Sequence, residues 1–163
     1  MKKLVLVLAI VFAGVLSANA QVWVGGGLGA DIQKDYTKFN IAPEVGYMIN
    51  DQWTVALGAN YTFRDLVTKT NTLYLEPYVR YTGGTIGHKF FLFADLCGEF
   101  NLLDAKGYAV MIKPGIAWQA TEKFTAAFRL GEVGFDHGIY GLDNGFHMRA
   151  DLCAPSIRIY YNL

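Results

Sequence analysis

The chain has 163 residues with 14 basic and 14 acidic side chains, so it is formally neutral; it is 53% apolar, 15% aromatic and only 17% charged, with 18 glycines. That length holds one domain or two small ones. The absence of a basic cluster excludes a nucleic-acid footprint, the aromatic content excludes a disordered chain, and no apolar run reaches the ~20 residues of a helical membrane span.

Residues 1–20 carry the parts of a secretory signal peptide. Lys2 and Lys3 precede an apolar stretch from Leu4 to Leu16, and Ser17-Ala18-Asn19-Ala20 supplies a small-residue exit. The stretch is too short to span a bilayer. The expected mature domain is 21–163, exported from the cytoplasm.

From Gln21 onward the pattern has period two. Gln21 to Asp31 is an expected first strand whose phase is blurred by Gly25, Gly26, Gly27 and Gly29. Seven further strands follow. Phe39, Ile41, Val45 and Tyr47 share one face of the second, and Trp53, Val55, Leu57 and Tyr61 one face of the third. Leu73, Leu75, Val79 and Tyr81 mark the fourth, Phe90, Leu92, Leu96 and Phe100 the fifth, and Tyr108, Val110, Ile112 and Trp118 the sixth. Phe124 to Gly131 forms the seventh, and Ile157, Ile159, Tyr161 and Leu163 mark the eighth. Alternation this sustained means strands with two unlike faces, and an even number of them suits a closed antiparallel sheet. All four prolines (Pro43, Pro77, Pro114, Pro155) fall in even-numbered strands. Each should weaken pairing or force a bulge, because proline has no ladder donor.

The expected connections alternate. Asn50–Gln52, Thr82–Lys89 and Gln119–Lys123 form the shorter set. Asp31–Lys38, Arg64–Asn71, Asn101–Gly107 and Glu132–Gly145 form the longer and more charged set. Seven aromatics flank the short set and the C-terminus, all on the apolar face: Tyr47, Trp53, Tyr81, Phe90, Trp118, Phe124 and Tyr161. Amphipathic rings at one height belong at a membrane–water interface. Phe39, Tyr61, Phe63, Phe100 and Tyr108 form a looser set at the other rim. The opposite face combines Gly and Ala with five bases (Arg80, Lys113, Arg129, Arg149, Arg158) and five acids (Glu44, Glu76, Asp95, Glu99, Asp151). These can pair inside a lumen. The expected fold is all-β, an eight-stranded antiparallel up-and-down transmembrane β-barrel. A soluble barrel with an apolar, ligand-holding interior is the alternative that alternation alone leaves open.

The chain resembles the small eight-stranded outer-membrane barrels of Gram-negative bacteria, of the outer-membrane protein X and outer-membrane protein A membrane-domain type. The resemblance rests on these patterns and on the closing segment Ile157-Arg158-Ile159-Tyr160-Tyr161-Asn162-Leu163. It implies the outer membrane as location and its lipid and lipopolysaccharide as surroundings. It also implies recognition by the barrel-assembly machinery through the C-terminal strand, which here ends in Leu rather than the more usual Phe. Together with the filled lumen it leads to the expectation of a non-enzymatic barrel whose surface loops serve envelope integrity, adhesion or contact with an unknown surface partner. A narrow ion channel is the other alternative.

Chemistry is sparse. The mature chain has one serine, Ser156, expected inside the barrel, and three histidines (His88, His137, His147), with no nucleophile–base spacing. Asp136, His137, Asp143 and His147 match no metal template. Gly25–Ala30 contains a G-x-G-x-x-A string, but no helix follows it, so a dinucleotide site fails its context; glycines that let an aromatic or a neighbouring strand approach closely account for it better. No catalytic residue, cofactor or metal is expected. Cys97 and Cys153 should face inward as free thiols, on strands too far apart to bridge.

Overall fold

The computed structural model describes residues 21–33, 36–65, 70–103, 107–138, 145–150 and 156–163; of 30–33, 36–38, 64–65, 70 and 149–150 it describes the backbone alone. The expected signal peptide, Asp143, Asp151, Cys153 and Pro155 lie outside the described residues, as does the side chain of Arg149.

Ten strand segments build one sheet: β1 (Val22–Gln33), β2 (Tyr36–Met48), β3 (Trp53–Asp65), β4 (Thr70–Ile86), β5 (Phe90–Asn101), β6 (Tyr108–Gln119), β7 (Phe124–Arg129), β8 (Gly131–His137), β9 (Gly145–Ala150) and β10 (Ser156–Asn162). Each of β1 to β6 pairs with the next. β6 then pairs with both β7 and β8, β8 pairs with β9, and β7 pairs with β10. The ring closes where β10 pairs with β1. β7 and β8 are therefore one barrel strand stepped at Leu130, and β9 and β10 share the eighth position. The result is a closed eight-stranded antiparallel barrel, in which the first and last strands satisfy each other's backbone groups where they pair.

Proline accounts for three of the irregularities. The β2–β3 ladder passes from Ile41↔Tyr61 to Glu44↔Gly58, skipping Pro43. The β4–β5 ladder passes from Leu75↔Phe100 to Tyr78↔Cys97, skipping Pro77. Opposite Pro114, two residues of β6 stand against three of β7–β8, so the strand bulges at Leu130. Leu130 N–H donates to the Pro114 carbonyl at 2.9 Å.

Three connections differ from the sequence expectation. β1 and β2 stay paired to Gln33↔Tyr36, so most of Asp31–Lys38 is strand. β4 runs to Ile86 through a register shift between Gly83 and Thr85, so the second turn shrinks to Gly87–Lys89. Most of the first half of Glu132–Gly145, expected as the longest loop, is β8, paired with β6 and β9. Gly87 and Gly138 take positive φ (69° and 67°) where the chain leaves the sheet, a conformation glycine adopts without steric cost.

Side-chain direction fixes the barrel's two surfaces. Ile41, Leu57 and Ile112 are 41%, 40% and 47% exposed on the outer wall, whereas Glu44, Glu76 and Arg80 are 4%, 2% and 7% exposed in the lumen.

Candidate functional site

The lumen holds a connected charge lattice. Arg80 on β4 donates to Asp95 on β5 through Nε at 2.6 Å and Nη2 at 2.9 Å, a bidentate pair between register partners. Arg129 on β7 donates from Nε to the same Asp95 at 3.0 Å, and its Nη1 donates to Glu76 on β4 at 2.7 Å. Lys113 on β6 donates to Glu76 at 3.0 Å and to Glu99 at 2.6 Å. Arg158 on β10 donates to Glu44 on β2, which also accepts the Tyr78 hydroxyl at 2.8 Å. Arg129 lies 3.8 Å from Glu44 and so joins the two groups. Strands β4 and β7 are not neighbours, so Arg129–Glu76 crosses the interior. Eight of the ten charges expected in the lumen thus meet there. Arg149 and Asp151 are the two whose side chains are not described.

Beside this lattice lies an aromatic layer that the sequence reading missed, having filled the lumen with Gly and Ala. Trp23, Tyr78, Phe93 and Tyr160 are each 5% exposed or less. The Trp23 and Tyr160 rings sit 4.4 Å apart. The Arg80 guanidinium lies 4.1 Å from the Phe93 centroid and 5.2 Å from that of Tyr160, so one cation ties the two layers together. Three rings rest on glycines: a Cβ at Gly46 would overlap Trp23, one at Gly25 Tyr160, and one at Gly115 Phe93. The signal was present, since Tyr78, Phe93 and Tyr160 share parity with Arg80, Asp95 and Arg158.

On the outer wall the seven aromatics expected as a girdle line the rim of the short turns. Trp53 and Tyr81 are register partners with centroids 4.9 Å apart. Phe90 and Trp118 stack at 6.5 Å, and Phe124 and Tyr161 meet at 5.0 Å. Tyr47 pairs with Val55, and its hydroxyl donates to Gln21 at 2.6 Å. At the other rim stand Phe39, Tyr61, Phe63, Phe100 and Tyr108, joined by the register pair Phe135↔Phe146. Ten residues separate Phe90 from Phe100 and Trp118 from Tyr108; at ~3.3 Å per residue and a ~40° tilt that is about 25 Å. This is the height of a barrel's apolar band.

The remaining candidates stay apart. His137 packs outward on Tyr108 at 5.2 Å. His147 faces the lumen, with Nδ1 3.1 Å from Asp136 and Nε2 3.9 Å from Glu132. Glu132 and Asp136 were expected in a loop; β8 turns them inward. Among the described residues no group of three His, Cys, Asp or Glu could hold a metal. His88 sits in a turn, and Ser156, expected inside, is exposed. Cys97 is a free thiol, 1% exposed.

Fold and wall together define the class: a transmembrane eight-stranded antiparallel β-barrel. The chain is similar in structure to the outer membrane protein Ail of Yersinia pestis, solved in a phospholipid bilayer nanodisc, with TM-score 0.55 and 10% identity over 89% of this chain and 100% of that one. The N-terminal barrel domain of OprF from Pseudomonas aeruginosa aligns with TM-score 0.47 and 19% identity over 88% of this chain and 98% of its own. A de novo designed transmembrane barrel aligns with TM-score 0.48 and 11% identity, over 90% and 98% respectively. The sequence matches no protein-family model and no curated protein.

Proposed function

We propose that this chain is an exported, non-enzymatic outer-membrane protein whose lumen is filled by its own side chains and whose barrel displays surface loops. Those loops serve envelope integrity, adhesion or contact with a surface partner. Residues 1–20 direct export, the two aromatic rings sit at the lipid and lipopolysaccharide interfaces, and the C-terminal strand is read by the assembly machinery. One observation carries the reading: apolar side chains point out between two aromatic rings while the charges point in and pair. A soluble ligand-binding barrel needs the opposite orientation.

The chain should fractionate with outer membranes and need detergent for release; recovery in a detergent-free soluble fraction would end the membrane reading. In planar bilayers the conductance should be negligible, because the Arg129–Glu76 contact crosses the lumen and Arg158–Glu44 fills it beside the aromatic layer. A steady conductance of hundreds of picosiemens would replace this reading with the channel alternative. In single-tryptophan variants, lipids labelled near the headgroup should quench Trp53 and Trp118 strongly and Trp23 weakly. Equal quenching of all three would contradict the assignment of the wall.

A further inference from the structure

Among the described residues the first and last strands meet along the shortest ladder of the barrel. Among the described residues four pairs join β1 to β10, Trp23↔Asn162 to Gly26↔Ile159, against twelve joining β1 to β2. On the β1 side the first three lumen positions beyond Trp23 are Gly25, Gly27 and Gly29, which offer no side chain to select a partner. A slip of one residue would send the Ile157–Ile159 face inward and is excluded by the membrane. A slip of two keeps both faces and is the real competitor.

Two lumen side chains of β10 pass over these glycines to reach β2 and its surroundings. Tyr160 lies over Gly25, against Trp23. The Arg158 stem lies over Gly27, where a Cβ would meet its Cδ at 3.2 Å, and its guanidinium reaches Glu44. A two-residue slip in one direction puts Tyr160 opposite Trp23, where the two rings would compete for one space. In the other direction Tyr160 lands on Gly27 and Arg158 on Gly29. Nothing steric forbids that slip, but Tyr160 leaves Trp23 and the Arg80 Nη2 that donates to its hydroxyl at 3.2 Å, and Arg158 moves some 6–7 Å along the strand and loses Glu44, the ion pair of β10.

We propose that the Arg158–Glu44 contact, made across the side-chain-free stretch of β1, selects the register in which the barrel closes. Glycines in β1 are then a slot through which the last strand reads the second. Their other task, seating Tyr160, works with Trp23 to exclude the opposite slip.

Cross-strand nuclear Overhauser contacts in detergent micelles test this. The wild-type chain should show Val24–Tyr161 and Gly25–Tyr160 contacts alone. Arg158→Met should add a second set, Gly25–Asn162 and Gly27–Tyr160, at roughly a tenth of the intensity or more. Arg158→Lys keeps a cation within reach of Glu44 and should keep the single wild-type set. A merely stabilising residue would change the unfolding midpoint in Arg158→Met but leave the register single, and that outcome overturns the proposal. Mixed registers in Arg158→Lys, or failure of both variants to fold, would also overturn it. An Arg158→Met chain that does not close, beside a singly registered Arg158→Lys, supports it.

Discussion

Arg129→Met should destabilise the barrel by about 3–5 kcal/mol, the cost of stranding buried carboxylates. Arg129 is 4% exposed and stands at the crossing of the lattice, donating to Asp95 and Glu76 and lying 3.8 Å from Glu44. Methionine keeps most of the stem and its packing but removes every donor. Of their cations among the described residues, Asp95 would then keep Arg80, and Glu76 would keep Lys113. Eight buried charges, four of each sign, balance in the lumen; without Arg129 they would become an anionic excess in a low-dielectric interior, where unscreened charge is costly. Lys123→Met supplies the contrast. Lys123 is an exposed turn residue whose contact is the Tyr161 ring at 5.7 Å, so its loss should cost less than about 0.5 kcal/mol. Urea titration in phospholipid vesicles, followed by circular dichroism, measures both. A loss below about 1 kcal/mol for Arg129→Met would mean that water reaches the lattice and that the lumen is not sealed at this level.

How much of this could be read beforehand follows from where the physics is local. Strand parity is a two-residue rule, so the outward set (Ile41, Leu57, Ile112) and the inward set (Glu44, Glu76, Arg80) were legible from alternation alone. The lower ring was legible too, because turns such as Asn50–Gln52 lie directly beside Tyr47 and Trp53. Strand ends were not. Asp31–Lys38 and Glu132–His137 are polar enough to look like loops, yet a barrel can pair polar backbone above the membrane as readily as within it. Which charge meets which was illegible for a different reason. Arg80 and Asp95 are register partners, but Arg129–Glu76 and Arg158–Glu44 join strands that are not neighbours, and only closure of the ring brings them together. The aromatic layer was hidden by composition: Gly46 and Gly115 read as space fillers, when each is the seat for a large ring on an adjacent strand.

Trp23→Ala should cost about 3–5 kcal/mol, the range for deleting a large aromatic from a packed interior, and the loss should depend on Gly46. Trp23 is 5% exposed, and its ring occupies the space that a Cβ on Gly46 would enter. Trp23 and Gly46 are register partners on β1 and β2, so the ring is held over the glycine by backbone pairing and cannot swing away without leaving Tyr160. Gly46→Val alone should therefore overpack the lumen and cost about 1–3 kcal/mol. In the Trp23→Ala background the same change fills part of the vacated volume and should cost nothing or restore stability. The interaction energy of this double-mutant cycle should exceed about 1 kcal/mol, well above the scatter expected for independent sites. Trp23→Ala should also admit water past the aromatic layer, raising bilayer conductance above the wild-type baseline, while Trp23→Ala with Gly46→Val brings it back down. Additive stability changes and an unchanged conductance would show that Trp23 merely lines the lumen, and that the seal against ion passage is carried by the charge lattice alone.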